Sequence, residues 1–174
     1  MRIKTYDLFL LLFLLLNSRV VSSQDLNKKE SSSKFNYSTG ACAGFTTGYG
    51  LSFRYLPTRL GIQVNFAPFH SKEIDQYSFG MTLLYKLIEN DKSNLFLYEG
   101  NHYYYRAEPE YNFYYQKPIA NVRRVKKYFN NGMGIGIELM LIQSVGFNLM
   151  GGYAAYNNFE ESNFTAETGL YYKF

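Results

Sequence analysis

Phe164-Thr165-Ala166-Glu167-Thr168-Gly169-Leu170-Tyr171-Tyr172-Lys173-Phe174 is the stretch that decides the fold. Its even positions read Phe, Ala, Thr, Leu, Tyr, Phe. Its odd positions read Thr, Glu, Gly, Tyr, Lys. A strand turns these two sets to opposite faces. One face suits hydrocarbon and the other a polar interior, which is the pattern of a strand in a membrane barrel.

The same alternation recurs upstream. Val145, Phe147, Leu149, Gly151, Tyr153 and Ala155 alternate with Gly146, Asn148, Met150, Gly152 and Ala154. Met133, Ile135, Ile137, Leu139 and Leu141 alternate with Gly132, Gly134, Gly136, Glu138 and Met140. Only Gln143 and Ser144 separate these two segments, as in a tight hairpin. Further strands are expected around Tyr77–Leu87, Ile62–Phe66 and Leu51–Tyr55. Residues 95–105 (LFLYEGNHYYY) are strand-like without showing which face is lipid. Residues 37–45 are expected as a first strand, joined to the second by a turn at Thr46-Thr47-Gly48. The sum is an all-β, antiparallel, up-and-down transmembrane barrel of about eight strands. Connections at 56–59, 90–93 and 143–144 are short. Those at 68–76, 106–131 and 157–163 read as longer loops. Short turns on one rim and long loops on the other is the membrane-barrel arrangement, with the long loops extracellular and the N-terminus periplasmic.

Composition agrees. The chain has 18 Tyr, 15 Phe and 14 Gly against 4 Pro and no Trp, a bias toward strands. Past residue 23 no apolar run approaches the roughly 20 residues a membrane helix needs. A closed barrel is then the only arrangement that satisfies every backbone group in lipid. The single cysteine, Cys42, cannot form an intrachain disulfide. Residues 1–23 read as a signal peptide: Arg2 and Lys4, then an apolar core over 8–16, then Val21-Ser22-Ser23. Residues 24–34 (QDLNKKESSSK) are expected to be a flexible periplasmic leader, and 35–174 the barrel. Removing Arg2, Lys4, Arg19 and Asp7 with the signal takes the formal charge from +4 to +2. That balance gives no argument for nucleic acid.

The last eight residues resemble the outer-membrane assembly signal, in which a polar residue, a glycine, a hydrophobic residue and a terminal aromatic recur at set spacing. Glu167, Gly169, Tyr172 and Phe174 fill those places. More loosely, 35–174 resembles the porin-like barrels of Bacteroidota-type bacteria and the eight-stranded transmembrane family of outer membrane protein A. The resemblance implies a Gram-negative outer membrane, with its lipids and the barrel assembly machinery as partners. A soluble lipocalin-like barrel, apolar inside, is the alternative.

Arg54, Gln63, Asn65, Glu99, Glu138, Asn148 and Glu167 are the expected lumen network. An eight-stranded barrel is just wide enough for side chains to fill, so a polar plug is expected. The same residues could instead line a narrow porin, and one Arg against three Glu would incline it toward cations. Gly132, Gly134 and Gly136 repeat every second place and line one face of a strand, where small residues relieve crowding. His70 and His102 fall near the expected outer rim, with Ser71 and Glu73 beside the first and Glu99 near the second. No spacing among them establishes a nucleophile and base. The chain is therefore read as non-enzymatic, with no cofactor and no metal site, a rim-sited lipid-modifying enzyme being a further alternative. In 106–131, Tyr111, Tyr114 and Tyr115 with Arg123, Arg124, Lys126 and Lys127 form a possible surface contact for lipid phosphates, an acidic partner or an unidentified extracellular ligand.

Overall fold

The computed structural model describes residues 35–71, 73–111 and 118–174, without the side chains of 111–121. The signal-peptide and leader segments, 1–34, lie outside the described residues, as do Tyr114 and Tyr115.

Every segment that alternates in sequence becomes a strand: β1 (Tyr37–Ala43), β2 (Gly50–Tyr55), β3 (Leu60–His70), β4 (Asp75–Glu89), β5 (Ser93–Tyr111), β6 (Pro118–Ile142), β7 (Val145–Tyr156) and β8 (Glu161–Lys173). Each pairs antiparallel with its sequence neighbour, and β1 pairs with β8, so the sheet closes into an eight-stranded barrel. Closure leaves no strand edge unpaired, as lipid requires. At the seam, Phe174 N–H donates to Tyr37 O at 2.9 Å.

The faces have the polarity expected of a membrane barrel, the reverse of the lipocalin-like alternative. Leu51, Phe53, Phe66, Phe79, Ile135, Leu149, Phe164 and Leu170 stand exposed on the outer wall. Ser52, Arg54, Gln63, Asn65, Thr82, Glu138, Asn148 and Glu167 are buried inside. Register shifts at Lys86/Ile88 and Met140/Ile142 explain why Leu87 with Ile88, and Leu141 with Ile142, are exposed in succession. Aromatic residues cluster towards both rims of the outer wall. Tyr37 stacks on Tyr55 (4.8 Å) and Phe174 (6.1 Å) near one; Tyr77 meets Tyr105 (5.9 Å) and Tyr153 meets Phe164 (5.5 Å) towards the other. Such girdles mark the membrane interfaces.

Strands run into all three expected long loops. β3 runs to His70 and β4 starts at Asp75, so their connection is 71–74. β8 begins at Glu161, after a turn carrying Asn157, Asn158 and Phe159 at positive φ. β5 and β6 continue to Tyr111 and Pro118, so 106–131 is largely a protruding hairpin. Its polarity hid the strands: Arg106–Glu108 (2.7 Å), Lys126–Glu108 (3.8 Å) and Arg123–Asp75 (2.8 Å) are ion pairs along a ladder in which neither parity is apolar.

Candidate functional site

Inward residues fill the barrel in two storeys. In the lower, near the rim that holds the N-terminal end of β1, Glu138 on β6 is the hub. Arg54 Nη1 on β2 donates to Glu138 Oε1 at 3.0 Å. Lys173 Nζ (2.6 Å) and Asn94 Nδ2 (3.0 Å) donate to its Oε2. The rest of the Arg54 guanidinium donates to Gln63 Oε1 at 3.1 and 2.8 Å, and Gln63 Nε2 donates to Asn65 Oδ1 at 3.2 Å. The guanidinium also lies over the Tyr171 ring, 4.1 Å from its centroid. A buried ion needs this degree of pairing. Gly136 stands where a Cβ would meet the Phe96 ring at 2.3 Å, so the absent side chain makes room for that ring. The lower mouth, lined by Tyr37, Arg54, Lys86 and Lys173 among others, keeps about 20 Å³, space on the order of one water.

The upper storey is built by a segment that sequence reasoning read as a simple turn. Residues 44–49, between β1 and β2, fold into the barrel, and Thr46 and Thr47 are fully buried. Glu167 on β8 accepts from the Thr46 hydroxyl and from Thr47 N–H at 3.0 Å. Asn65 Nδ2 donates to Thr47 O. Phe45 O accepts from Asn130 Nδ2 at 3.0 Å and from His102 Nδ1 at 2.9 Å. A carbonyl can only accept, so His102 carries its proton on Nδ1, and Nε2 accepts from the Ser78 hydroxyl at 2.9 Å. Gly80, Gly100 and Gly132 make the room. A Cβ at these places would meet Thr47 O at 1.8 Å, Thr46 O at 2.8 Å and Thr46 Cγ2 at 2.7 Å.

Six of the seven expected lumen residues are inside. Asn148 is among them, fully buried, yet its amide has no hydrogen-bond partner among the described residues. Glu99 is the exception. It shares its face with Leu97 and Tyr103, both exposed, and its side chain lies on the outer wall. Sequence reasoning also passed over two bases on inward places, Lys173 in the hub and Lys86, which pairs with Glu89 at 2.9 Å. Arg54, Lys86 and Lys173 balance Glu89, Glu138 and Glu167, so the lumen has no excess of acid to incline it toward cations. His102 lies in the lumen, not at the rim. His70 is at the rim and binds Asp75, which also pairs with Arg123. Their two side chains stand on opposite sides of the wall, so they form no common site.

Of the assembly-signal residues, Glu167 and Gly169 face inward, and Tyr172 and Phe174 stand exposed on the outer face. Arg123, Arg124, Lys126 and Lys127 project exposed from the protruding part of β6, and Lys127 Nζ sits 5.6 Å over the Tyr105 ring. Tyr111 ends β5, opposite Pro118. Beside this hairpin the outer wall has a hollow of about 370 Å³ lined by Asp75, Tyr77, Tyr103 and Tyr105.

This is an eight-stranded up-and-down barrel with its polar side inward. No protein-family model matches the chain, and no curated protein does. Among solved structures it is similar to the N-terminal β-barrel domain of OprF from Pseudomonas aeruginosa, at 13% identity and a TM-score of 0.46, over 79% of this chain and 95% of that one. It is similar to Neisserial surface protein A at 11% identity and a TM-score of 0.49, over 79% and 93%. It is also similar to Ail, the attachment invasion locus protein of Yersinia pestis, at 12% identity and a TM-score of 0.38, over 79% and 93%. At these identities the likeness is one of fold.

Proposed function

We propose that the protein is a non-enzymatic barrel of the bacterial outer membrane, closed to solutes, whose protruding β5–β6 hairpin makes contacts at the cell surface. One observation carries this reading: the barrel is apolar outside and filled inside from the Glu138 hub to the inserted 44–49 segment. An apolar outer wall between aromatic girdles belongs in a bilayer, and a filled lumen does not conduct. The Ser78–His102 pair is a serine bonded to a histidine, but it is buried beneath the inserted segment. A substrate could not reach it, which supports the non-enzymatic reading. In this orientation 35–36 lies on the periplasmic side, and the hairpin's bases and tyrosine hollow sit where lipid phosphates or an acidic partner would meet them. Glu167, Gly169, Tyr172 and Phe174 would serve the assembly machinery by strand pairing before the barrel closes.

Two measurements test the proposal. The purified protein should migrate differently in SDS before and after boiling, since its backbone pairing is closed internally. In a planar bilayer it should open no reproducible channels. Channels whose ion selectivity shifts on Glu138→Gln would replace the plug with a narrow porin. A soluble protein with no heat shift would remove the membrane reading altogether.

A further inference from the structure

Glu99 is an ionisable side chain on a wall otherwise made for lipid. Its register partners are Leu83 on β4 and Met133 on β6, both exposed, with exposed Leu97 below and Tyr103 above it on β5. It lies six residues above Ser93, the start of β5. At a rise of about 2.5 Å per residue along the axis of a tilted strand, that is about 15 Å above the start of β5, on a wall whose apolar band is about 25 Å tall. Two more polar residues join it. Asn101 Nδ2 and Asn131 Nδ2 donate to Glu99 Oε1 at 2.7 and 2.6 Å, and Asn131 Nδ2 also reaches Asn101 Oδ1 at 2.9 Å.

The cluster satisfies one carboxylate oxygen and leaves the other. No described residue meets Glu99 Oε2, and the second hydrogen of Asn101 Nδ2 has no acceptor among the described residues. On a wet surface water would complete both. Acyl chains offer neither donor nor acceptor, and an ionisable group in the membrane marks a functional place whose partner should be named. The partner that fits is written in the patch itself. It holds one unfilled acceptor and one unfilled donor side by side at nearly one depth. A two-fold axis along the bilayer normal sets two such patches against each other, so that each fills both vacancies of the other.

We propose that the Glu99–Asn101–Asn131 face is the surface through which two copies of this barrel associate in the membrane. The contact is isologous, as two-fold pairs are. Two reciprocal hydrogen bonds, Glu99 Oε2 to the second copy's Asn101 Nδ2 and the converse, lie at its centre. Met81, Leu83 and Met133 pack around them, and the thioethers adapt their shape to the facing wall.

The test is cross-linking of the full barrel, carrying Cys42→Ala, in phosphatidylcholine vesicles. Leu83→Cys sits beside the cluster, and Leu170→Cys on β8 sits around the barrel from it. With a short bismaleimide, Leu83→Cys should give a dimer band at least tenfold stronger than Leu170→Cys. Adding Glu99→Leu with Asn101→Leu should cut that band at least tenfold. Glu99→Gln, which sets an NH2 donor where the second copy's Asn101 Nδ2 needs an acceptor, should cut it at least threefold. Equal bands from the two cysteines, or a band unaffected by removal of both polar groups, would overturn the proposal. The first comparison needs no substitution in the cluster, so it stands even if the double variant does not fold. The proposal rests on the wall facing lipid. Flotation of the protein with the vesicles, scored separately, distinguishes failure of that reading from failure of this one.

Discussion

Gly80→Ala should drive the inserted segment out of the lumen. The added Cβ would stand 1.8 Å from Thr47 O, a backbone atom, where real contacts are not found under 3.0 Å. Wall and segment must part by about the difference, 1.2 Å. The wall is pinned, because Gly80 pairs with Asn65 on β3 and His102 on β5 in continuous ladders. The segment therefore moves. A shift of this size breaks the bonds made by Thr47: its carbonyl to Asn65, and its N–H to the Glu167 carboxylate. At about 1 kcal/mol for the neutral bond and about 2 for the charged one, the inserted state loses roughly 3 kcal/mol, or about a hundredfold in its equilibrium with an expelled state. Cys42 reports it. The thiol is buried inside β1 and donates to Gly48 O at 3.5 Å, so the inserted segment covers it. A water-soluble maleimide should label Cys42 slowly in the parent protein and about a hundredfold faster in Gly80→Ala. Gly151→Ala is the control, since a Cβ there points into open space, 3.8 Å from Thr165 O. A folded Gly80→Ala barrel, judged by its heat shift, that labels within threefold of the parent would refute the account of the plug.

The hub should also be sensitive to loss of its acid. Glu138→Ala leaves Arg54 and Lys173 buried without their shared partner, and removing one side of a buried ion pair costs about 3–5 kcal/mol; urea unfolding in vesicles measures it, and a loss under 1 kcal/mol would mean water solvates the lumen. At the outer rim, hydrogen bonding to His70 and the nearby Arg123 guanidinium hold the Asp75 carboxyl below its ordinary range. A depressed carboxylate contributes stability above its unfolded pKa and loses it as pH falls through the folded one. Amide protection around 71–77 and 105–107, corrected for intrinsic exchange, should stay flat from pH 7 to 5 and fall below about 4, near the unfolded aspartate value; protection unchanged down to pH 3 would refute it. Phe174→Ala should reduce delivery to the outer membrane severalfold in cells while refolding into detergent is unchanged. Equal losses in both would make Phe174 a packing residue at the seam with Tyr37 rather than part of an assembly signal.

What the sequence made legible, and what it hid, follows from what alternation can carry. Where one parity is apolar and the other polar or small, as in β6 with Ile135 and Ile137 against Gly136 and Glu138, the faces assign themselves. Arg54, Gln63, Glu138 and Glu167 fall on the inward parity on that ground, and all four are buried. The inserted segment was hidden because Thr46 and Thr47 are ordinary turn residues. The signal lay elsewhere, in the inward glycines Gly80, Gly100 and Gly132 on three different strands, which make a common space only once the register is known. The same holds for Glu99. On β5 both parities are rich in apolar and aromatic residues, Phe96, Tyr98 and Tyr104 inward against Leu97, Tyr103 and Tyr105 outward, so alternation has no sign. Chemistry then suggested that a carboxylate belongs inside. Pairing decides otherwise, because Glu99 stands opposite Met133, and the outward parity of β6 is unambiguous. Register could not be carried across from β6, because the polar hairpin between the two strands reads as loop. The residue whose placement most contradicts its chemistry is thus the one local sequence could not place, and its position on the lipid wall calls for a partner.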